Sequence, residues 1–188
     1  MNITRIFSTN VLLWLTTTVF IFSIKADDTA DSIRMQMKHL KGEHLLQAHS
    51  NLCRLAAGED NIDNELATLS AYIKEANRQN DVEAEGQARS MQMMCYYNYD
   101  MVDSLKNALP NNLAFMGKHG LWDHYYNSWN TLVELYLYDD NIQTALLEAD
   151  KMYADAEEKN SNYGIGVSTY CMGSIYQTMQ RFRRLSNR

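Results

Sequence analysis

The chain has 188 residues, a 46% hydrophobic fraction and a formal net charge of −6. That length and hydrophobic content allow a sizeable core and exclude disorder throughout, and one Pro with eight Gly favours long regular elements over a many-stranded fold. Residues 1–26 carry Arg5 and Lys25 but no acid, so the remainder holds fifteen basic and twenty-three acidic side chains, a balance that repels phosphate backbones and argues against nucleic-acid binding.

The first element is a targeting segment. Arg5 gives a positive start, the run from 11 to 24 is apolar apart from Thr16, Thr17, Thr18 and Ser23, and Ile24-Lys25-Ala26 offers a cleavage site before Asp27. This predicts a signal peptide at 1–26 and an exported, periplasmic chain; the alternative is a membrane anchor at 6–24, and a membrane link is expected only through that uncleaved segment or a missing downstream part. The first cysteine, Cys53, lies too far on for a lipid anchor. Residues 27–42 form a polar lead-in.

From 43 to 182 the chain repeats. Trp129, Leu132, Val133, Tyr136 and Ala145 set a pattern. Forty residues later the same spacing gives Thr169, Met172, Gly173 and Tyr176; forty earlier, Arg89, Gln92, Met93 and Tyr96; forty earlier again, His49, Leu52, Cys53 and Ala56. Ile62, Val102, Ile142 and Phe182 are also forty apart and open the second half of each unit. Apolar residues at i, i+3, i+4 and i+7 predict helices. First helices are expected at 43–57, 83–97, 123–138 and 166–179, and partner helices at 62–77, 102–116 and 142–159. Polar breaks such as Gly58-Glu59-Asp60-Asn61 and Asp139-Asp140-Asn141 separate them. Pro110 is expected to stop the second partner helix near Leu109, because it lacks a backbone donor. The fold class is all-α: a tetratricopeptide-like helical-hairpin solenoid of about three and a half repeats of about forty residues, followed by a short end at 183–188.

Trp129, Leu132, Val133, Tyr136 and Ala145 resemble the tetratricopeptide signature, and Met172, Gly173 and Tyr176 match it with Gly173 at the small position. Ala149 stands where that signature has an aromatic residue, and no Pro closes a repeat. The stretches 111–130 (NNLAFMGKHGLWDHYYNSWN) and 163–182 (YGIGVSTYCMGSIYQTMQRF) resemble the periplasmic repeat regions of Bacteroidota-type two-component sensor kinases. The resemblance implies the N-terminal sensor part alone, whole or truncated. The sequence holds no phospho-acceptor or nucleotide-binding block, so kinase activity does not follow.

No catalytic constellation stands out. His39, His44 and His49 are spaced by five. On a helix that spacing turns successive side chains by about 140° and spreads them over different faces. Cys53, Cys95 and Cys171 have neither zinc nor disulfide spacing and read as core residues, as do Met91, Met93 and Met94. Gly164 and Gly166 are read as shaping a helix start. The expectation is a non-enzyme without cofactor or metal. In such arrays the first helices line a groove. Stepping from the repeat anchors places Asn127, Asn130, Glu134 and Tyr138 on one wall, with Tyr97 and Asn98 from the preceding unit. Arg54, Ser90, Met94, Tyr170 and Ser174 fall at related positions. Amides and rings on a rigid wall suit a peptide, a protein or a small polar ligand. The functional reading is a binding module, the extracytoplasmic sensor part of a signal-transduction protein; the alternative is a free-standing periplasmic interaction scaffold.

Overall fold

In a computed structural model of the chain, residues 29–186 are described, and the expected signal segment at 1–26 and its expected cleavage site lie outside them. The described residues are all-α, with eight helices and no strand among them. Helix α1 (Ala30–Met37) belongs to a first unit ending at His39. It occupies the expected polar lead-in, and the Thr29 hydroxyl caps it by accepting the Ser32 N–H at 3.4 Å.

The second unit, Leu40–Arg188, holds seven helices: α2 (Gly42–Ala56), α3 (Ile62–Gln79), α4 (Val82–Asn98), α5 (Val102–His119), α6 (Trp122–Tyr138), α7 (Ile142–Glu158) and α8 (Asn162–Ser186). Their first residues, 42, 62, 82, 102, 122, 142 and 162, recur every twenty. The cause lies in the turns. Asn80, Asp100, Gly120, Asp140 and Asn160 all sit in the left-handed region, at φ between 51° and 71°. Asn, Asp and Gly are the residues that tolerate it. After each, the next N–H reaches back five residues: Asp81 to Ala76, Met101 to Tyr96, Leu121 to Met116, Asn141 to Tyr136 and Ser161 to Ala156, at 2.8–3.0 Å. One Schellman-type cap is thus used five times, which is how the chain turns sharply with so few Gly and no closing Pro.

Successive helices pack on each other. In addition α6 packs on both α4 and α8, whereas α3, α5 and α7 make no extensive contact with one another. Within this unit α4, α6 and α8 form one layer, with α5 and α7 behind them.

Burial follows the forty-residue period. Glu65, Leu105 and Ala145 are buried, then Leu69, Leu109 and Ala149, then Tyr72, Asn112 and Met152, then Ala76, Met116 and Ala156. On the other set of helices the buried columns are Cys53, Met93 and Val133, and the uniformly small Ala48, Ala88, Ser128 and Ser168. Each fully buried Leu or Met contributes about 1.5–3 kcal/mol. Where α7 offers mostly alanines, α6 supplies Tyr125 and Tyr126, whose hydroxyls donate to Asp155 at 3.4 and 3.0 Å. Arg89, which occupies the column of Trp129, is partly buried without an unpaired charge. It donates to Glu85 at 2.6 Å and 2.8 Å and to Asn112 Oδ1 at 3.0 Å. Its guanidinium lies 4.6 Å from the Phe115 ring, a stacking that its flat, delocalised charge permits.

Four expectations need correction. Helix α5 runs unbroken through Pro110. Pro110 is exposed, so the Lys106 carbonyl it deprives of a partner lies on the solvent side, while buried Leu105, Leu109, Asn112 and Met116 anchor the helix on both sides. Helix α8 starts at Asn162 rather than 166, because the Ser161 hydroxyl caps it by accepting the Gly164 N–H at 3.1 Å. It also continues across Phe182 to Ser186. Gln180 stands where the earlier turns have Asp100 and Asp140, and nothing there favours the left-handed cap. Of the methionine cluster only Met93 is fully buried, and Met94 is 46% exposed.

Candidate functional site

On α6, Asn127, Asn130, Glu134 and Tyr138 lie at spacings of three and four and form one stripe. The Asn130 amide donates to Glu134 Oε1 at 3.0 Å. The same spacing turns Leu132 into the core and packs Trp129 and Tyr136 partly against it, and Trp129 Nε1 donates to Glu148 at 3.2 Å. Helix α8 closes the stripe from one side. Its Tyr163 hydroxyl donates to Asn127 Oδ1 at 2.9 Å, and the Cys171 thiol to Asn130 Oδ1 at 2.6 Å. Burial, then the Glu134 carboxylate, pushes that thiol up to about 12, so it stays a protonated donor.

Two recesses result. The larger, of about 490 Å³, lies between α6 and α8 and is lined by Asn127, Asn130, Asn162, Tyr163, Gly166, Val167 and Tyr170. The smaller, of about 230 Å³, lies between the C-terminal ends of α4 and α6, with Tyr97, Asn98, Asp100, Leu135 and Tyr138 as its lining. Glu134 stands between them. It bonds Asn130 of the first, and its charge helps burial raise the Tyr97 hydroxyl in the second, with Tyr138 adding to the effect.

The six expected site residues therefore divide: Asn127 and Asn130 in one recess, Tyr97, Asn98 and Tyr138 in the other, Glu134 linking them. Their amides are less free than the sequence suggests. Both Oδ1 atoms are engaged within the protein, which leaves amide N–H groups, the Asn162 side chain and the tyrosine rings to face a ligand. Such a set suits ligand carbonyl or hydroxyl oxygens together with apolar or ring surface.

Asn162, Tyr163, Val167 and Asp100 were not anticipated. The signal existed: Ser161 falls twenty residues after Asn141 and one hundred after Asn61, both of which cap helices through their side chains. Counting by twenty would have begun α8 at 162 and put Tyr163 on the groove face. Of the histidines, His124 bonds Glu83 at 3.2 Å and His119 packs on Phe115, and neither lines a recess. Among the described residues no three His, Cys, Asp or Glu side chains gather as a metal site, and no helix is long and apolar enough to cross a membrane. No protein-family model, no curated protein and no solved structure matches the chain.

Proposed function

We propose that residues 43–182 form a tetratricopeptide-like solenoid that acts as a non-catalytic binding module, the extracytoplasmic sensor part of a signal-transduction protein. The forty-residue burial period, the uniform turns and the single layer of α4, α6 and α8 support the solenoid reading. The apolar run behind Arg5 and the Ala26 boundary support export. The observation that carries the binding reading is the recess of about 490 Å³ between α6 and α8, where three Asn side chains and two tyrosines meet. Its ligand is a peptide or a small polar molecule.

The experiment is a screen of short mixed-sequence peptides and small polar compounds by thermal shift, followed by titration of the best hit against variants. Asn130→Ala is expected to weaken binding by about 1–3 kcal/mol, the loss of an amide hydrogen bond in a desolvated site. His124→Ala is expected to bind as the parent does. If His124→Ala loses the ligand and Asn130→Ala keeps it, the site lies instead at the loop carrying His119 and His124.

A further inference from the structure

The smaller recess differs from the larger in its charge. It sits where two helices of the same layer end, α4 at Asn98 and α6 at Tyr138. A helix C-terminus carries about half a negative charge, normally offset by Lys, Arg or His in the last turn. Neither α4 nor α6 has a basic residue there. Two carboxylates add to this field: Asp100 in the lining, and Glu134 just outside it, one helical turn before Tyr138 on α6, whose charge reaches the Tyr97 hydroxyl. No residue lining the recess is basic.

The walls are aromatic. Tyr138 is 74% exposed, unusual for a large side chain with apolar neighbours at hand, and Tyr97 is half-buried beside it. Ring faces attract weakly hydrated cations, guanidinium and alkylated ammonium above all. A hard divalent metal prefers oxygen ligands and ordered water to ring faces, and among the described residues no three His, Cys, Asp or Glu side chains gather to hold one. Size narrows the class further. Each water in the liquid takes up about 30 Å³. A recess of about 230 Å³ is several times that, room for a cationic head group but not for a stretch of peptide. Asp100 is fixed at this position by its left-handed turn and by its N–H bond to the Tyr97 carbonyl at 3.1 Å.

We infer that this recess receives an organic cation, an ammonium or guanidinium head group that lies between Tyr97 and Tyr138 with Glu134 and Asp100 as its counter-charges. The inference rests on the reading of the α4–α6–α8 face as a ligand face and names the chemistry of one end of its ligand. The bearer is either a free quaternary or primary amine or the side chain of a basic residue in a peptide.

The test uses the full chain with ¹³C-labelled tyrosine, titrated with choline, with its neutral isostere 3,3-dimethylbutan-1-ol, and with N-acetyl-arginine amide, all at matched ionic strength. The expected result is saturable shifts of the Tyr97 and Tyr138 signals with the cations, and about three- to tenfold weaker binding of the neutral isostere. Glu134→Gln keeps an acceptor for Asn130, and Asp100→Asn keeps a residue that tolerates the left-handed turn. Each is expected to weaken cation binding several-fold, and Tyr138→Ala about tenfold. Tighter binding of choline supports a free amine as the bearer; tighter binding of the arginine amide supports a peptide. Equal binding of choline and its isostere, or cation affinity unchanged in the double variant Glu134→Gln, Asp100→Asn, overturns the inference. Neutral peptides that bind through Asn130 while the tyrosine signals ignore cations would leave the groove reading standing and remove this one.

Discussion

Individual side chains in this protein are constrained to very different degrees, and its glycines and cysteines show how. A Cβ built on Gly164 would lie 2.5 Å from both Cε2 and Cζ of Tyr126 and 2.8 Å from the Ala156 Cβ. Gly164 leaves room there for the Tyr126 ring and the Ala156 methyl of α7. A Cβ on Gly173 would meet nothing within 4 Å. The two helical glycines therefore respond oppositely to the same change. Gly164→Ala is expected to destabilise by about 1–3 kcal/mol through overpacking, and Gly173→Ala to stabilise by about 0.5–1 kcal/mol through helix propensity. Urea midpoints measure both, and a neutral Gly164→Ala would show that Tyr126 has room to move. Cys53, Cys95 and Cys171 are all buried, and burial pushes each thiol up to about 12, with Glu65 adding for the first two and Glu134 for the third. An unfolded thiol titrates at about 8.5, so the folded chain holds the proton more tightly. The resulting stability is present below that pH and is lost as pH rises toward the folded value. The expected outcome is a urea midpoint that falls above about pH 9, less so in a triple Cys→Ala variant, and native thiols that ignore Ellman's reagent at neutral pH until the chain unfolds.

At the scale of helices, repetition of one turn does most of the organising. A left-handed residue costs about 1–2 kcal/mol for an ordinary side chain, less for Asn and Asp. Its recurrence at 80, 100, 120, 140 and 160 marks where helices α3 through α7 stop. This was legible in part: the polar runs Gly58-Glu59-Asp60-Asn61, Asn98-Tyr99-Asp100 and Asp139-Asp140-Asn141 marked breaks, and the forty-residue apolar columns placed most helix ends within a few residues. What escaped were positions where burial outweighs a local signal, or where a period of twenty holds rather than forty. Pro110 reads as a break in isolation and is tolerated because the anchoring side chains face the other way. Pro110→Ala restores a backbone donor on an exposed face. It is expected to raise stability by about 1–3 kcal/mol, checked by thermal or urea unfolding, and no gain would mean that α5 is already interrupted there. For the candidate site, the α6 stripe followed from spacing alone. The contribution of α8 did not, because Tyr163 joins the groove only when the helix starts at its Ser161 cap. The internal bonds that occupy Asn127 and Asn130 are contacts between elements thirty-six and forty-one residues apart in sequence, which no local pattern encodes.

The second unit as a whole is unevenly tied together. Helix α6 packs on α4, α5, α7 and α8. Trp129, Tyr136 and Leu113 touch both the cluster around Tyr126, Val133 and Met152 and the cluster around Met93, Leu105 and Leu135. Those three side chains couple α4 through α8. The cluster of α2, α3 and α4, built on Leu46, Cys53, Leu69 and Tyr72, shares no side chain with either. In a stack whose parts touch only their neighbours, stability is a sum of local terms, and a weakly coupled end opens first. Helices α2 and α3 are therefore expected to unfold at lower urea than α5 through α8. The protein carries its own reporters, since Trp122 and Trp129 both lie on α6 and a Trp14→Phe variant leaves only those two. Helical circular dichroism sums over the chain, whereas tryptophan emission reports on α6 and its surroundings. The ellipticity curve should begin to fall first and the emission curve later. Trp129→Ala, which opens a cavity at the junction of two clusters, is expected to cost about 3–5 kcal/mol in the later transition alone and so draw the two together, followed by the emission of Trp122. Coincident ellipticity and emission curves in the Trp14→Phe chain would instead make the seven helices one cooperative unit, with α4 transmitting the fold across the cluster boundary as firmly as Trp129 does within it.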